Sequence, residues 1–423
     1  MIRWVRSFSK AEWYWALFDW ANSAYATTVM AGFFPILFKN EFARSLPSTD
    51  STFWLGATVS ISSLIVAVSN PFLGFLTDRL QCKKMATLLS SLVAWISVVG
   101  LAFIGPDQWS MALWLFGFSL AGFNLGMSFY DSLLKHVTVS GKEHLVSSLG
   151  YGLGYLGGGV LLSLNIFMVF YASWFGWEGP IEAMKYSFVT VVIWWIVFSF
   201  PFFRWVVEKK QKHIIPSFRG KMIQVFYEFN ESLKVMIRDK NILLFLVSYW
   251  LYIDVVYTVI NMATDYGSSL GLGPSQLVSA LLLVQLVAFP ATLIVGRLTL
   301  FIATRYLLLI LLFVYVIIIF WGYRLQTAFD FWGLAVFIAL AQGGVQSLSR
   351  SLFAQLIPLE RSGEWFGVFN LVGRFASILG PLVMGGVTRL SGDHRVGLLA
   401  LWGPLLLGMA LLFLVKPTRQ VRD

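Results

Sequence analysis

The sequence predicts an all-α membrane protein, twelve transmembrane helices built as two six-helix pseudo-repeat halves, and three observations predict it. Of 423 residues, 58% are apolar and only 12% charged, too little charge to cover a soluble core. Mostly apolar runs of about 18 or more residues recur from end to end, each long enough to cross a hydrocarbon layer of roughly 30 Å. Short polar patterns in the first half return, in the same order, in the second. The 18 Trp and 38 Phe suit a lipid-facing surface with interfacial aromatic belts.

The spans fall at 12–38, 53–76, 85–105, 109–134, 148–172, 186–207, 241–266, 276–299, 304–323, 329–355, 364–388 and 396–416. Sorting the 31 Lys and Arg by side orients them. The N-terminus, the loops after even-numbered spans and the C-terminus carry 23; the opposite loops carry six, namely Lys39, Arg44, Lys185, Arg324, Arg389 and Arg395. Arg350 and Arg374 lie inside spans. This bias puts both termini in the cytoplasm. It also accounts for the net charge of +10 without a nucleic-acid partner, because the cations sit in short loops between spans. Cys82, the sole cysteine, rules out an intrachain disulfide. The start of the chain lacks a small-residue cleavage pattern, so its first apolar run reads as a membrane helix rather than a signal peptide.

Three units follow: an N-terminal six-helix half (1–207), a cytoplasmic linker (208–240) and a C-terminal six-helix half (241–423). Within the linker, Met222, Val225, Phe226, Phe229, Leu233 and Met236 recur at helical spacing, with Lys221, Glu228, Glu231 and Lys234 on other faces. That pattern predicts an amphipathic helix lying at the membrane interface.

The halves echo each other. Tyr14, Trp15 and Asp19 of the first span match Tyr249, Trp250 and Asp254 of the seventh. In the fourth and tenth spans, Asp131-Ser132-Leu133-Leu134 aligns with Arg350-Ser351-Leu352-Phe353, and Ser128 with Ser347. Gly74 and Gly296 end the second and eighth spans at a similar offset. Two six-helix halves related by an axis along the membrane normal form the architecture of major facilitator transporters, in which solute binds near the midplane and the halves rock around it.

After the second span the chain reads GFLTDRLQCKK, which resembles the major facilitator loop signature through Gly74, Asp78, Arg79, Lys83 and Lys84. Gln81 stands where a glycine is usual, and Leu300 replaces the aspartate in the second half. The resemblance implies a charge latch: Asp78 caps a neighbouring helix N-terminus or pairs with a basic side chain, favouring one conformer. A narrower likeness spans nearly the whole chain. The runs WALFDWANSAYATTV from Trp15, SSLGYGLGYLGGG from Ser147, QGGVQSLSRSLFAQLIP from Gln342, GEWFGVFN from Gly363 and LGPLVMGG from Leu379 resemble the vacuolar amino-acid efflux family linked to autophagy. That resemblance implies a carrier of neutral amino acids, although bacterial members of the family can carry other solutes.

An ionisable side chain inside a span costs roughly 2.5–3.5 kcal/mol on insertion scales, so it faces the bundle interior and needs a partner. Five such groups occur. Asp19 shares a helix face with Asn22 and Ser23, and Tyr25 lies beyond; the face suits a solute ammonium, a proton or helix packing. Asp254, with Tyr257, Thr258 and Asn261 on one face, is a candidate proton carrier or an arginine's partner. Arg374 is the deepest cation. It can hold a substrate carboxylate through two parallel hydrogen bonds, or lock to Asp254 or Asp19 as a structural pair. Asp131 and Arg350 occupy equivalent positions nearer the cytoplasm and suit a gate between the halves. The glycines Gly150, Gly154 and Gly158, and Gly122 with Gly126, form smooth stripes for close helix packing.

Other chemistry finds no foothold. GxxxxGK[ST], HExxH and GxSxG motifs are all missing, which argues against ATP drive and against an enzyme. His136, His144, His213 and His394 fall in loops or at span ends, so no metal and no cofactor are expected. The sequence therefore reads as a secondary transporter, coupled to protons, lipid-embedded, monomeric and located in a bacterial inner membrane. Its solute is a small polar metabolite, an amino acid first. An organic-anion or iron-chelate (siderophore) carrier is the alternative, and a receptor or scaffold on a transporter fold is the alternative of another class. In the amino-acid reading, Asp19 and Arg374 offer opposite charges to a zwitterion while Asp254 titrates.

Overall fold

A computed structural model describes residues 8–209, 222–269, 274–391 and 394–416. Every regular element among them is helical. Numbering the longer α-helices in chain order gives α1 (Lys10–Ala24), α2 (Ser48–Leu80), α3 (Lys83–Ala102), α4 (Trp109–Ser132), α5 (Glu143–Phe170), α6 (Pro180–Trp205), α7 (Met222–Arg238), α8 (Lys240–Ser269), α9 (Pro274–Leu298), α10 (Thr304–Arg324), α11 (Ala328–Leu356), α12 (Ser362–Ser391) and α13 (Trp402–Leu414). Ten helical segments among the described residues are long and apolar enough to cross a membrane. The segment from Lys10 to Phe42 and α12 lie outside that set.

The first segment is not one regular helix. Ser9 opens α1 with a capping box, its side chain accepting from the Glu12 N–H while Glu12 reaches back to the Ser9 N–H. Beyond Ala24 the ladder widens into π-helix over Tyr25–Phe33 and again over Phe38–Phe42. Two causes are local. The Thr27 hydroxyl bonds the carbonyls of Ser23 and Ala24 and of Gly158 on α5, and Pro35 lacks the N–H that an α-turn needs. Apolar periodicity cannot distinguish such a segment from a plain helix.

Helix ends explain how the bundle is braced at the end where the chain passes from α2 to α3 and from α6 to α8, here termed the basic end. Lys84, in the first turn of α3, donates to the Val206 carbonyl just past α6 (2.8 Å). Arg305, in the first turn of α10, donates in the same way to the Val415 carbonyl just past α13 (2.5 Å). A cation on the last carbonyls of a helix also meets the negative end of its dipole.

The turn after α2 forms without glycine. Gln81 adopts the left-handed conformation (φ 50°, ψ 49°), and the Gln81 and Cys82 N–H groups close on the Asp78 and Thr77 carbonyls. Asp78, Lys83 and their neighbours hold the loop in that shape at a cost that a glycine would avoid.

Helix α7 lies against the basic end. Its Phe229 packs edge-on against Phe72 and Phe75 of α2, Met236 is buried, and Tyr227, Val235 and Ile237 face outward. The part of the linker from 210 to 221, with His213, falls outside the described residues.

Candidate functional site

Two seams close the basic end. In the first, α2 and α12 run antiparallel, with Gly74 against Gly363 and Asn70 against Gly367. A Cβ on Gly74 would collide with the Gly363 carbonyl, so only glycine permits this approach. Asp78 caps α12 across the seam, its Oδ1 accepting from the Gly363 N–H (2.9 Å) and its Oδ2 from the Glu364 N–H (2.8 Å). The same carboxylate pairs with Lys83 (2.7 Å), which also reaches Glu208 (3.4 Å). Arg79 pairs with Glu228 of α7 and sits over the Phe75 ring, and the Ser232 hydroxyl of α7 donates to Glu364 (2.6 Å).

The second seam joins α5 to α9. Gly296 meets Ser148, Gly152 meets Leu293, and Gly159 meets Gln285. Here the glycines and serines supply close packing, and hydroxyls on α5 tie to α11: Ser147 donates to the Ser347 carbonyl (2.8 Å) and Ser148 shares a bond with the Ser347 hydroxyl (3.2 Å).

Between the seams lies a buried ion network. The Arg350 guanidinium of α11 donates to Asp131 of α4 (2.9 Å), to Asp19 of α1 (3.1 Å) and to the Ser147 hydroxyl and carbonyl of α5 (2.9 and 3.0 Å). Arg350 is 1% exposed, Asp19 4% and Asp131 5%. The rings of Trp15, Tyr130 and Tyr151 surround the cation at 4.8, 5.8 and 4.3 Å. Gly150 leaves room for it, because a Cβ there would run into the Asp19 carboxylate. Two carboxylates thus share one buried cation, in a site where removing the cation strands both of them.

This arrangement corrects the sequence-based pairing. Asp19 meets Arg350, and neither Asp19 nor Asp131 is among the described residues lining the cavity that holds Arg374. None of Asn22, Ser23 and Tyr25 is among the residues lining the Arg374 cavity. Asn22 is buried, Ser23 packs against Gly154 of α5, and the Tyr25 hydroxyl bonds Ser119 of α4 (2.7 Å). Predicted depth gives the level of a group, whereas its partner depends on helix rotation, which depth leaves open.

Arg374 lies in a cavity of about 180 Å³ lined by Val59, Ser60, Ser63, Leu64 and Ala67 of α2 and by Phe375 of α12. The antiparallel register that sets Asn70 against Gly367 brings Ser63 level with Arg374. Arg374 also interacts electrostatically with Tyr257 of α8. Asp254 lies apart: its Oδ1 accepts from the Gly380 N–H of α12 (2.8 Å), and among the described residues it has no ion-pair partner. The Asn261 side chain is outside the described residues. A second, smaller cavity of about 90 Å³ lies among α8, α9, α10, α11 and α12; apolar groups and Gln342 line it, with no ionisable side chain among the described residues. The charged cavity is the better candidate for a polar solute.

Sequence reasoning missed Ser60, Ser63 and Ser147. Serine is common in membrane helices, and only its alignment with Gly74 on one face, or with Gly150 along a small-residue stripe, would have singled these out. Among the described residues no cluster of three or more His, Cys, Asp or Glu could hold a metal ion.

Comparison with known proteins places this geometry. A family model described as "Vacuole effluxer Atg22 like" matches residues 135–423. The "Uncharacterized MFS-type transporter YxiO" of Bacillus subtilis is 35% identical over 421 residues, covering 97% of this chain and 96% of that one. Autophagy-related protein 22-1 of Penicillium rubens is 24% identical over 300 residues; the match takes in 66% of this chain and 50% of the fungal protein, so the chain spans about half the length of that relative. Among solved structures, the human organic anion transporter MFSD10 superposes with a TM-score of 0.77 at 14% identity, covering 95% of this chain and 99% of that one. That likeness is one of fold, the major facilitator fold.

Proposed function

Because the chain belongs to the Atg22-like family of major facilitator superfamily transporters, we propose that it carries a small carboxylate-bearing metabolite, an amino acid first, by alternating access. In this reading the Lys10–Phe42 segment and α12 join the ten other spans, and α7 links two six-helix halves. The matching braces, Lys84 on Val206 and Arg305 on Val415, support the halves. So do the matching glycine contacts of Gly74 and Gly296. With both termini in the cytoplasm of a bacterial cell, as the cation bias favours, the basic end is cytoplasmic and this conformer is closed on that side.

The observation that carries the reading is Arg374 and its cavity. A guanidinium binds a carboxylate through two parallel hydrogen bonds, Ser60 and Ser63 add hydroxyls, and Val59, Leu64 and Phe375 give apolar contact. Beneath that cavity the α2–α12 seam blocks the way to the basic end. Opening it would pull Arg350 of the second half away from Asp131 and Asp19 of the first, so the network acts as a gate. Asp254, a carboxylate without a cation beside it among the described residues, is the candidate proton carrier.

A second reading, an organic anion without an ammonium group, is favoured by the cavity lining, which includes no carboxylate. Transport into proteoliposomes separates the two. A panel of amino acids and of their deaminated carboxylate analogues is offered with and without a proton gradient. Uptake of amino acids, accelerated by the gradient and lost in Arg374→Ala, supports the first reading, and uptake of the analogues alone supports the second. If wild type moved neither set, or Arg374→Ala moved them as well as wild type, the carboxylate reading would be wrong.

A further inference from the structure

Asn70 is completely buried in α2, and among the described residues neither its Oδ1 nor its Nδ2 has a hydrogen-bond partner. Sealing an amide away in this state is unfavourable, because water satisfies both atoms when the group is exposed. An apolar residue of similar size would suit the closed seam better, so the reason for an amide has to lie in a different state of the protein. Its position suggests which. Ser63, Ala67, Asn70 and Gly74 lie on one face of α2. Ser63 is level with Arg374, and Asn70 comes seven residues later, about 10 Å nearer the basic end. There the seam is tight, since a Cβ on Gly367 would come within 2.7 Å of the Asn70 carbonyl oxygen. Nothing could pass from the Arg374 cavity to the basic end between α2 and α12 without uncovering this amide.

We infer that Asn70 is a solute-contacting wall residue of the path on the basic side, sealed in this conformer and exposed when α2 and α12 separate. An amide donates to a carboxylate and accepts from an ammonium group, so it can serve as a second station for the solute class that Arg374 recognises. The same residue disfavours the closed seam, opposing the Asp78 cap and keeping the two conformers within reach of each other. The inference rests on the alternating-access reading above.

The test needs no solute. In a Cys82→Ser background, Asn70→Cys, Leu80→Cys and Ser63→Cys are treated with a membrane-impermeant maleimide from either side of sealed vesicles. Asn70→Cys is expected to react only from the basic side, roughly tenfold or more slowly than Leu80→Cys, which is exposed there. Ser63→Cys is expected to react from the opposite side. If Asn70→Cys reacts from neither side while both controls react, or reacts from the opposite side, the inference is overturned. A second variant guards against a disturbed seam: Asn70→Leu should raise Tm and speed Ser63→Cys labelling by holding the basic end shut. A lower Tm, or an unchanged Ser63→Cys rate, also overturns it. A failed transport panel would remove the substrate class and leave Asn70 to stand or fall on labelling alone.

Discussion

Replacing Arg350 by glutamine should shift the closed basic end toward opening. In the closed conformer Arg350 is 1% exposed and donates to Asp19, Asp131 and Ser147. The shorter amide would keep some hydrogen bonding and lose the charge, leaving two carboxylates buried side by side without a cation. Breaking a buried pair in this way costs about 3–5 kcal/mol. When the basic end opens, water reaches the carboxylates and most of that penalty disappears, so the cost falls mainly on the closed state. A difference of about 3 kcal/mol changes a two-state ratio by roughly a hundredfold. Spin labels on Leu80→Cys, at the end of α2, and on Glu360→Cys, in the turn just before α12, report the seam width by pulsed electron resonance in a Cys82→Ser background. The expected result is a long-distance population replacing the short one, with partial return in Arg350→Gln/Asp131→Asn, where one stranded charge is gone. A short-distance population unchanged in Arg350→Gln would refute the reasoning, since the network would then not be holding the end shut.

Other expectations follow from the same geometry. Gln81→Gly relieves a left-handed backbone and should stabilise the protein by up to about 1 kcal/mol in thermal unfolding, with transport unchanged. Gly363→Val places bulk against the Gly74 carbonyl, so seam labels should separate and transport should stall while the helical circular dichroism is kept. Arg374→Lys keeps the charge and loses the two-pronged geometry; KM for a carboxylate solute should rise about tenfold, and more in Arg374→Ala, read from initial uptake rates. Burial, together with the neighbouring Glu208 carboxylate, raises the pKa of the Cys82 thiol. Its thiolate is therefore scarcer at a given pH than that of a free thiol, and maleimide labelling should be slower near neutrality and keep climbing to higher pH than for free cysteine.

Much of the helical framework was legible in the sequence because apolar runs of membrane length have few other uses. Helix ends were less so: α5 begins at Glu143, five residues before the apolar span expected from 148, because polar Glu143 and His144 continue the helix beyond the apolar stretch. The five intramembrane charges were also legible, since each is costly enough in lipid to stand out. Their pairing was not. Asp19 and Arg374 looked like natural opposites by depth, and the fold instead turns Asp19 toward Arg350 through the gap left by Gly150. Asn70 escaped notice for a related reason: one amide in an apolar helix looks like ordinary packing until the fold leaves it buried with no hydrogen-bond partner among the described residues.

The two seams at the basic end are unlike. One is fastened by a carboxylate on a helix end, with a lysine and two further acids within reach; the other is glycine and serine laid edge to edge, with no ion pair among the described residues. A jaw with one magnetic edge and one smooth edge need not part evenly. Exchange of a single acidic residue can weaken the first edge while the second keeps its fit and acts as a hinge. Small sequence changes at the first edge would then loosen the basic end without rebuilding the Arg374 cavity.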